Sequence, residues 1–395
     1  MLFSLMTVGL VLGLATSIMP ALFDEIRKDL DLTHGQLGVI WGALAFGILL
    51  TAFVGGTLGD RFGIKKTIAL GLFISGISCI LRALLPSFWG QTFALLVLGA
   101  ASGLVFPNMP KAVGMWFSPK ELGRALGFIQ MEGTAAWAVA LMIGASLSSI
   151  LGGWQNVMWL MAAISFAGIF FWMFMARERP AQTAHTIKHV GNTSSMADLK
   201  RLLKMRDLWL VALMDLCVGG AALSNIGLLP ETLEARGMTP SMAGIYTSIS
   251  TWVIAASAII GAFFSDKIGL RKPFIWPFLF ISAGTITFFG VFIGIRVVVM
   301  IVIYSAALGV TLPLFRALVI ENERIDSNLS GSALGVIYTI NRLGAIGLPV
   351  AMGATIDITG EYWPAFLLLA ILIAIGAVLS VPVKETGWKV KRQPS

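Results

Sequence analysis

Three ionisable side chains interrupt stretches of sequence that are otherwise nearly bare of charge: Glu132, Asp215 and Arg342. An arginine presents a planar fork of N–H donors that suits carboxylates and oxyanions, and it stays charged at physiological pH. Carboxyls such as Glu132 and Asp215, removed from water and left unpaired, take up protons and can carry them. With a helix starting near Ser332, ten residues at about 1.5 Å each place Arg342 roughly 15 Å deep, close to the middle of a ~30 Å hydrocarbon layer. The same arithmetic brings Glu132 to mid-depth and Asp215 to about 12 Å. Two readings stay open: Arg342 receives a substrate anion, or it closes an internal ion pair with Glu132 or Asp215 and weakens the proton role of that acid.

Asn341, Tyr338, Gln130, Trp137, Tyr246, Trp252, Asn225 and Tyr304 supply amide, hydroxyl and aromatic groups at comparable depth and complete the candidate substrate site. The sequence shows no recognisable nucleophile–base set and no ligand cluster with metal spacing, so neither an enzyme nor a metal or cofactor protein is expected. His185 and His189, four apart on a polar segment without a third ligand, read as solvated.

The elements that hold these residues must be membrane helices. Hydrophobic residues make up 57% of the 395-residue chain and charged residues 12%, about half the charged share of a soluble domain. The apolar runs predict an all-α membrane protein with twelve spans: 2–23, 35–58, 67–86, 91–113, 122–149, 154–175, 207–230, 241–264, 274–294, 297–319, 331–355 and 362–383. Of the 28 Lys and Arg residues, twenty-two fall on one side, five on the other and Arg342 within a span. Arg316 counts among the twenty-two and Arg82 among the five. The rich side is expected to be cytoplasmic, with both termini there, in the cell membrane. The net charge of +8 is then mostly topology, and no nucleic-acid partner is implied. Cys79 and Cys217 fall inside spans as buried thiols. Trp154 and Trp363 begin spans where aromatic rings favour the interface, and Pro107, Pro110 and Pro313 should bend their helices.

Sliding the sequence along itself by 206 positions lays "GGTLGDRFGIKK" over "GAFFSDKIGLRK". Gly55, Asp60, Arg61, Gly63, Lys65 and Lys66 then meet Gly261, Asp266, Lys267, Gly269, Arg271 and Lys272. The same shift carries Glu25 onto Glu231 and Gly103 onto Gly309; Trp154 meets Trp363 at a shift of 209. The chain is therefore a duplication of parallel six-helix halves: a bundle over 1–176, a cytoplasmic linker over 177–206, a second bundle over 207–384 and a cytoplasmic tail over 385–395.

Two parallel repeats, a central linker and a Gly-x-x-x-Asp-Arg-x-Gly-x-Lys-Lys loop between helices two and three resemble the major facilitator superfamily of secondary transporters, over the whole chain. The resemblance implies rocking of one half against the other around a midplane site. It implies that helices one, four, seven and ten line the cavity and that two, five, eight and eleven form the contact between halves. In that frame Asp60 sits against the positive end of helix eleven and Asp266 against helix five, as gating contacts. Small-residue stripes, Ala43, Gly47, Thr51, Gly55 and Gly59 on helix two and Ala136, Ala140, Gly144 and Ser148 on helix five, serve either that contact or packing within one half.

Drug-exporter features are missing: "GASLSSILGG" has no proline, and Leu95 replaces the arginine of helix four. "ARERPA" stands in place of the sugar-porter signature. The exit of helix four, "GLVFPNMPKAVGMWFSPKELGRALG", is loosely similar to the nitrate/nitrite, cyanate and oxalate/formate branches. The expected function is transport of a small organic or inorganic anion by proton symport or exchange, as a monomer in the bilayer. The alternatives are efflux of amphipathic solutes and a non-transporting membrane sensor.

Overall fold

The computed structural model describes residues 1–176, 202–322, 325 and 329–391. Linker residues 177–201, with His185 and His189, and the last four residues of the tail lie outside it. Among the described residues twelve helices are long and apolar enough to cross a membrane. They are α1 Leu2–Asp29, α2 His34–Phe62, α3 Ile64–Leu84, α4 Phe88–Trp116, α5 Glu121–Leu151, α6 Trp154–Met175, α7 Arg206–Ala235, α8 Pro240–Ile268, α9 Lys272–Gly290, α10 Ile295–Ile320, α11 Gly331–Thr359 and α12 Trp363–Ser380. Each predicted span has its helix. α1 runs past its predicted end because a one-turn break at Pro20–Leu22 leads into a polar extension, Phe23–Asp29.

Local chemistry sets the ends. Thr33 and Gln36 cap α2 reciprocally: Thr33 Oγ1 accepts from the Gln36 N–H at 3.2 Å, and Gln36 Oε1 accepts from the Thr33 N–H at 2.9 Å. The two copies of the motif loop turn at Gly63 (φ 91°) and Gly269 (φ 74°), a region that side chains with a Cβ rarely enter. Pro107 separates Phe88–Val105 from Asn108–Trp116 within α4, whereas Pro313 lies inside an uninterrupted Ile295–Ile320.

The small-residue stripes serve helices of their own half. Gly47 and Gly55 on α2 lie against the α4 backbone at Gly99 and Gly103, and on α5 Ala136 meets Gly13 and Gly144 meets Ile18 and Ala21 of α1. Close backbone approach lets van der Waals contact hold these pairs where lipid gives no hydrophobic incentive. The second half repeats the arrangement at the same shift: Gly103 against Thr51 becomes Gly309 against Ser257, and Gly55 against Leu104 becomes Gly261 against Val310.

Two tryptophan and arginine expectations are corrected. Trp154 is 1% exposed: its indole N–H donates to Asp29 at 2.9 Å and its backbone N–H to Glu25 at 3.0 Å, so it ties α6 to α1 and does not face lipid. Arg82, counted above with the cations of one membrane face, is fully buried: the last turn of α3 points its guanidinium onto Met19 of α1. The described chain divides into two compact units, residues 1–176 with Gly227–Ser248 and residues 202–226 with the chain from Ile249 onward. α7 and α8 each contribute to both.

Candidate functional site

In the second unit, α7, α10 and α11 converge on a charged group. Asp215 and Arg342 are half-buried and Arg316 is exposed, so the group lies on an open face and not in the packed core. Asn341 reaches across from α11, its amide donating to the Asp215 backbone carbonyl at 3.0 Å. Arg316 lies 5.2 Å above the Tyr338 ring, where the ring quadrupole favours a cation. Burial weighs most on Asp215, and Arg316 and Arg342 attract it without a direct ion pair to either. The internal pair considered for Arg342 is thus a loose electrostatic partnership, which leaves the guanidinium fork for another anion.

Arg316 was not foreseen. Counted above only by side, and inside the predicted span 297–319, it stands on the last turns of α10, which run to Ile320. The spacing of an arginine three residues after the helix-bending Pro313 gives no hint of which face it takes.

The first unit holds a different kind of acid. Glu132 on α5 is 6% exposed, and neither carboxylate oxygen has a hydrogen-bond partner. It rests on Gly9 of α1, where an added Cβ would overlap the carboxylate.

The remaining candidates divide. Trp137 packs edge-on to Trp41 with centroids 6.1 Å apart, and Tyr246 is half-buried in the same unit. Gln130 is exposed. Asn225 is buried with both amide atoms unpartnered. Trp252 is 44% exposed, and Tyr304 is fully enclosed against Phe289 at 5.3 Å, a packing position. In the second unit Asn341, Arg342, Tyr338 and Asp215 come together, with Arg316 added.

The two motif loops are held differently. Asp60 accepts from the Lys111 ammonium at 2.7 Å, and the same ammonium donates to the Gly56 carbonyl at 2.8 Å. An ammonium of α4 thus holds this carboxylate within its own half. Arg61 lies over the Phe62 ring. In the second copy Arg271 pairs with both Asp266 and Glu321 at 2.5 Å. Its pKa is raised, chiefly by the hydrogen bonds it donates to Glu321 and then by the one to Asp266. Glu385 of the tail accepts the backbone N–H groups of Arg271 and Lys272 at 2.8 and 2.9 Å. The Trp388 indole donates to the Asp266 carbonyl at 2.8 Å. Residues 385–388 of the tail therefore fold back onto the loop.

At the opposite end of the first unit Glu231, fully buried, meets Arg27 Nε at 2.7 Å and His34 Nε2 at 3.2 Å. The repeat alignment offered the only signal, since Glu231 falls on Glu25; Glu25 instead holds Ser148 and Trp154.

Comparison with known proteins places these features. A family model described as the Major Facilitator Superfamily matches residues 2–322 and again 217–393. A probable sulfoacetate transporter, SauU, of Cupriavidus necator is 25% identical over 383 residues, covering 90% of this chain and 86% of its own. A hexuronate transporter of Bacillus subtilis is 25% identical, covering 90% and 87%. A probable galactarate/D-glucarate transporter, GudP, of the same species is 24% identical, covering 94% and 89%. Among solved structures, a bacterial homologue of the human lysosomal transporter Spinster, inward-facing and occupied, aligns with a TM-score of 0.83 at 16% identity over 100% of this chain and 98% of that one. A D-xylose–proton symporter aligns with a TM-score of 0.75 at 15% identity, over 97% of each; at these identities the likeness speaks for the fold. Twelve apolar helices, a duplicated loop motif and a family match along the chain lead to one conclusion: this multi-pass membrane protein belongs to the Major Facilitator Superfamily, whose members are transporters and not enzymes.

Proposed function

We propose that the protein is a secondary transporter of the cytoplasmic membrane that moves a small organic anion by alternating access, driven by protons in symport or by exchange. The observation that carries this reading is the half-open group of Arg342, Arg316, Asn341, Tyr338 and Asp215. Two guanidinium groups against one carboxylate leave a net positive place at membrane depth, and an anionic substrate completes it. Relatives named for sulfoacetate, hexuronate and glucarate agree with such a cargo. The Lys and Arg bias turns the Asp60 loop and both termini to the cytoplasm. Alternating access would have to release the Glu231–Arg27–His34 contact in each cycle. Glu132 and Asp215 are the carboxyls available to couple protons.

The test is uptake of radiolabelled sulfoacetate, D-glucarate and D-glucuronate by proteoliposomes, with and without a pH gradient. Arg342→Gln removes a charge-assisted fork and should weaken binding at least about thirtyfold, with Arg342→Lys intermediate. Unchanged affinity in Arg342→Gln, or efflux of amphipathic dyes with no anion flux, would overturn the reading.

A further inference from the structure

We infer that Glu132 is the proton-binding group of this transporter, that Gly9 on α1 is its positioning residue, and that Asp215 is instead the standing counter-ion of Arg316 and Arg342. The inference rests on the proton-driven reading above and deepens it.

Two acids were available, and their surroundings separate them. Within its own unit no described cation lies within reach of Glu132. α1 carries no ionisable side chain between Leu2 and Ser17, and α6 carries none between Trp154 and Met175. α4 offers only Lys111, already held by Asp60 and Gly56, and residues 240–248 of α8 offer only Tyr246. On α5 itself Arg124 stands eight residues away, about 12 Å along the axis. The acids and bases at the far end of α1 are bound to one another, to Glu231 and to α5–α6. An ionised carboxylate in this place would bear its full desolvation cost, while a bound proton removes the charge.

The helix register adds a mechanical element. Gly9 meets Glu132 and Gly13 meets Ala136, so the carboxyl sits on the line where α1 and α5 approach most closely. There is space for a neutral carboxyl against a backbone without Cβ, and none for a hydration shell. Glu132 can lose its proton only when α1 draws away from α5, which ties proton release to a change of conformation. Asp215 differs in its neighbours: burial weighs against its charge as well, but the Asn341 amide packs beside it and two guanidinium groups attract it.

Infrared spectroscopy of the purified full-length protein tests the assignment without a substrate. At neutral pH the wild type should show the carbonyl band of a protonated carboxyl. Glu132→Gln should lose it, Glu132→Asp should shift it, and Asp215→Asn should retain it. In liposomes, the ratio of D-glucarate uptake with an inside-alkaline gradient to uptake without one should fall to one in Glu132→Gln. Gly9→Ala, which crowds the carboxyl, should shift the band and lower that ratio. A band that survives Glu132→Gln or disappears in Asp215→Asn overturns the proposal. If the wild type carries none of the three anions, the transport reading fails while the infrared result still decides the proton site.

Discussion

The pair α1–α5 in the first half and the pair α7–α11 in the second stand at equivalent places of the repeat, and each holds one carboxyl. A shift of 206 lays Gly9 on Asp215, and a shift of 209 lays Glu132 on Asn341. The acid therefore sits on the fifth helix of one half and on the first helix of the other. Where the first half has glycine against a lone carboxyl, the second has a carboxyl beside an amide and two arginines. Both halves keep a close approach of these two helices, at Gly13 and Ala136 in one and at Gly220 and Gly344 in the other, and divergence changed what lies on it. One contact becomes dry and uncharged, and its counterpart becomes a charged surface able to meet an anion.

The motif loops diverge in the opposite direction. The copy that matches the motif best is lightly held, through an Asp60 whose side chain is 57% exposed. The degenerate copy is bound into a network by Arg271, whose side chain is 8% exposed. A contact that must break and re-form in each cycle suits the first, and a static fastening suits the second.

Substitutions at equivalent positions would break or sharpen this contrast. The largest effect is expected at Arg271→Ala, which strands Glu321 and Asp266 and should cost about 3 kcal/mol. Lys65→Ala, its counterpart 206 residues earlier, should change stability very little. Both are read as thermal unfolding in detergent with a thiol-reactive dye, since Cys79 and Cys217 are buried and free. Next, Gly9→Leu drives a side chain into the Glu132 contact and should cost about 2–3 kcal/mol by overpacking. The equivalent Asp215→Leu meets a site already built around a side chain, so its loss should appear in anion affinity before stability. Asn341→Ala removes the 3.0 Å bond to Asp215, and should cost about 1 kcal/mol in the same assay. The smallest effect belongs to Asp60→Asn, no more than about 1 kcal/mol because the pair is solvent-exposed. A loss at Asp60 as large as that at Arg271 would end the distinction between the loops.

The helices were legible because twenty apolar residues have few other uses, and the loop motif was legible because charge in such a chain is rare. Arg342, Asn341, Tyr338 and Asp215 could be marked individually as costly or polar at depth. Their meeting could not be read. Arg316 and Arg82 were placed in spans and given a side but no contacts: each lies within a turn or two of a helix end, and only the direction of that turn decides whether it meets a headgroup, a ring or a methionine.

The sequence by itself determined the number of spans, the duplication, the position of the motif loops and the family. Tertiary structure alone decided which face of each helix is turned to a neighbour. In a water-soluble helix the apolar stripe announces the buried side, but lipid is as apolar as a protein core. Gly47, Ala136 and Phe53 look alike to hydropathy, although the first two carry helix contacts and Phe53 is 82% exposed. Whether Glu132 lies against bare backbone and Asp215 beside an arginine is set by packing between helices far apart in the chain, and only the folded protein states it.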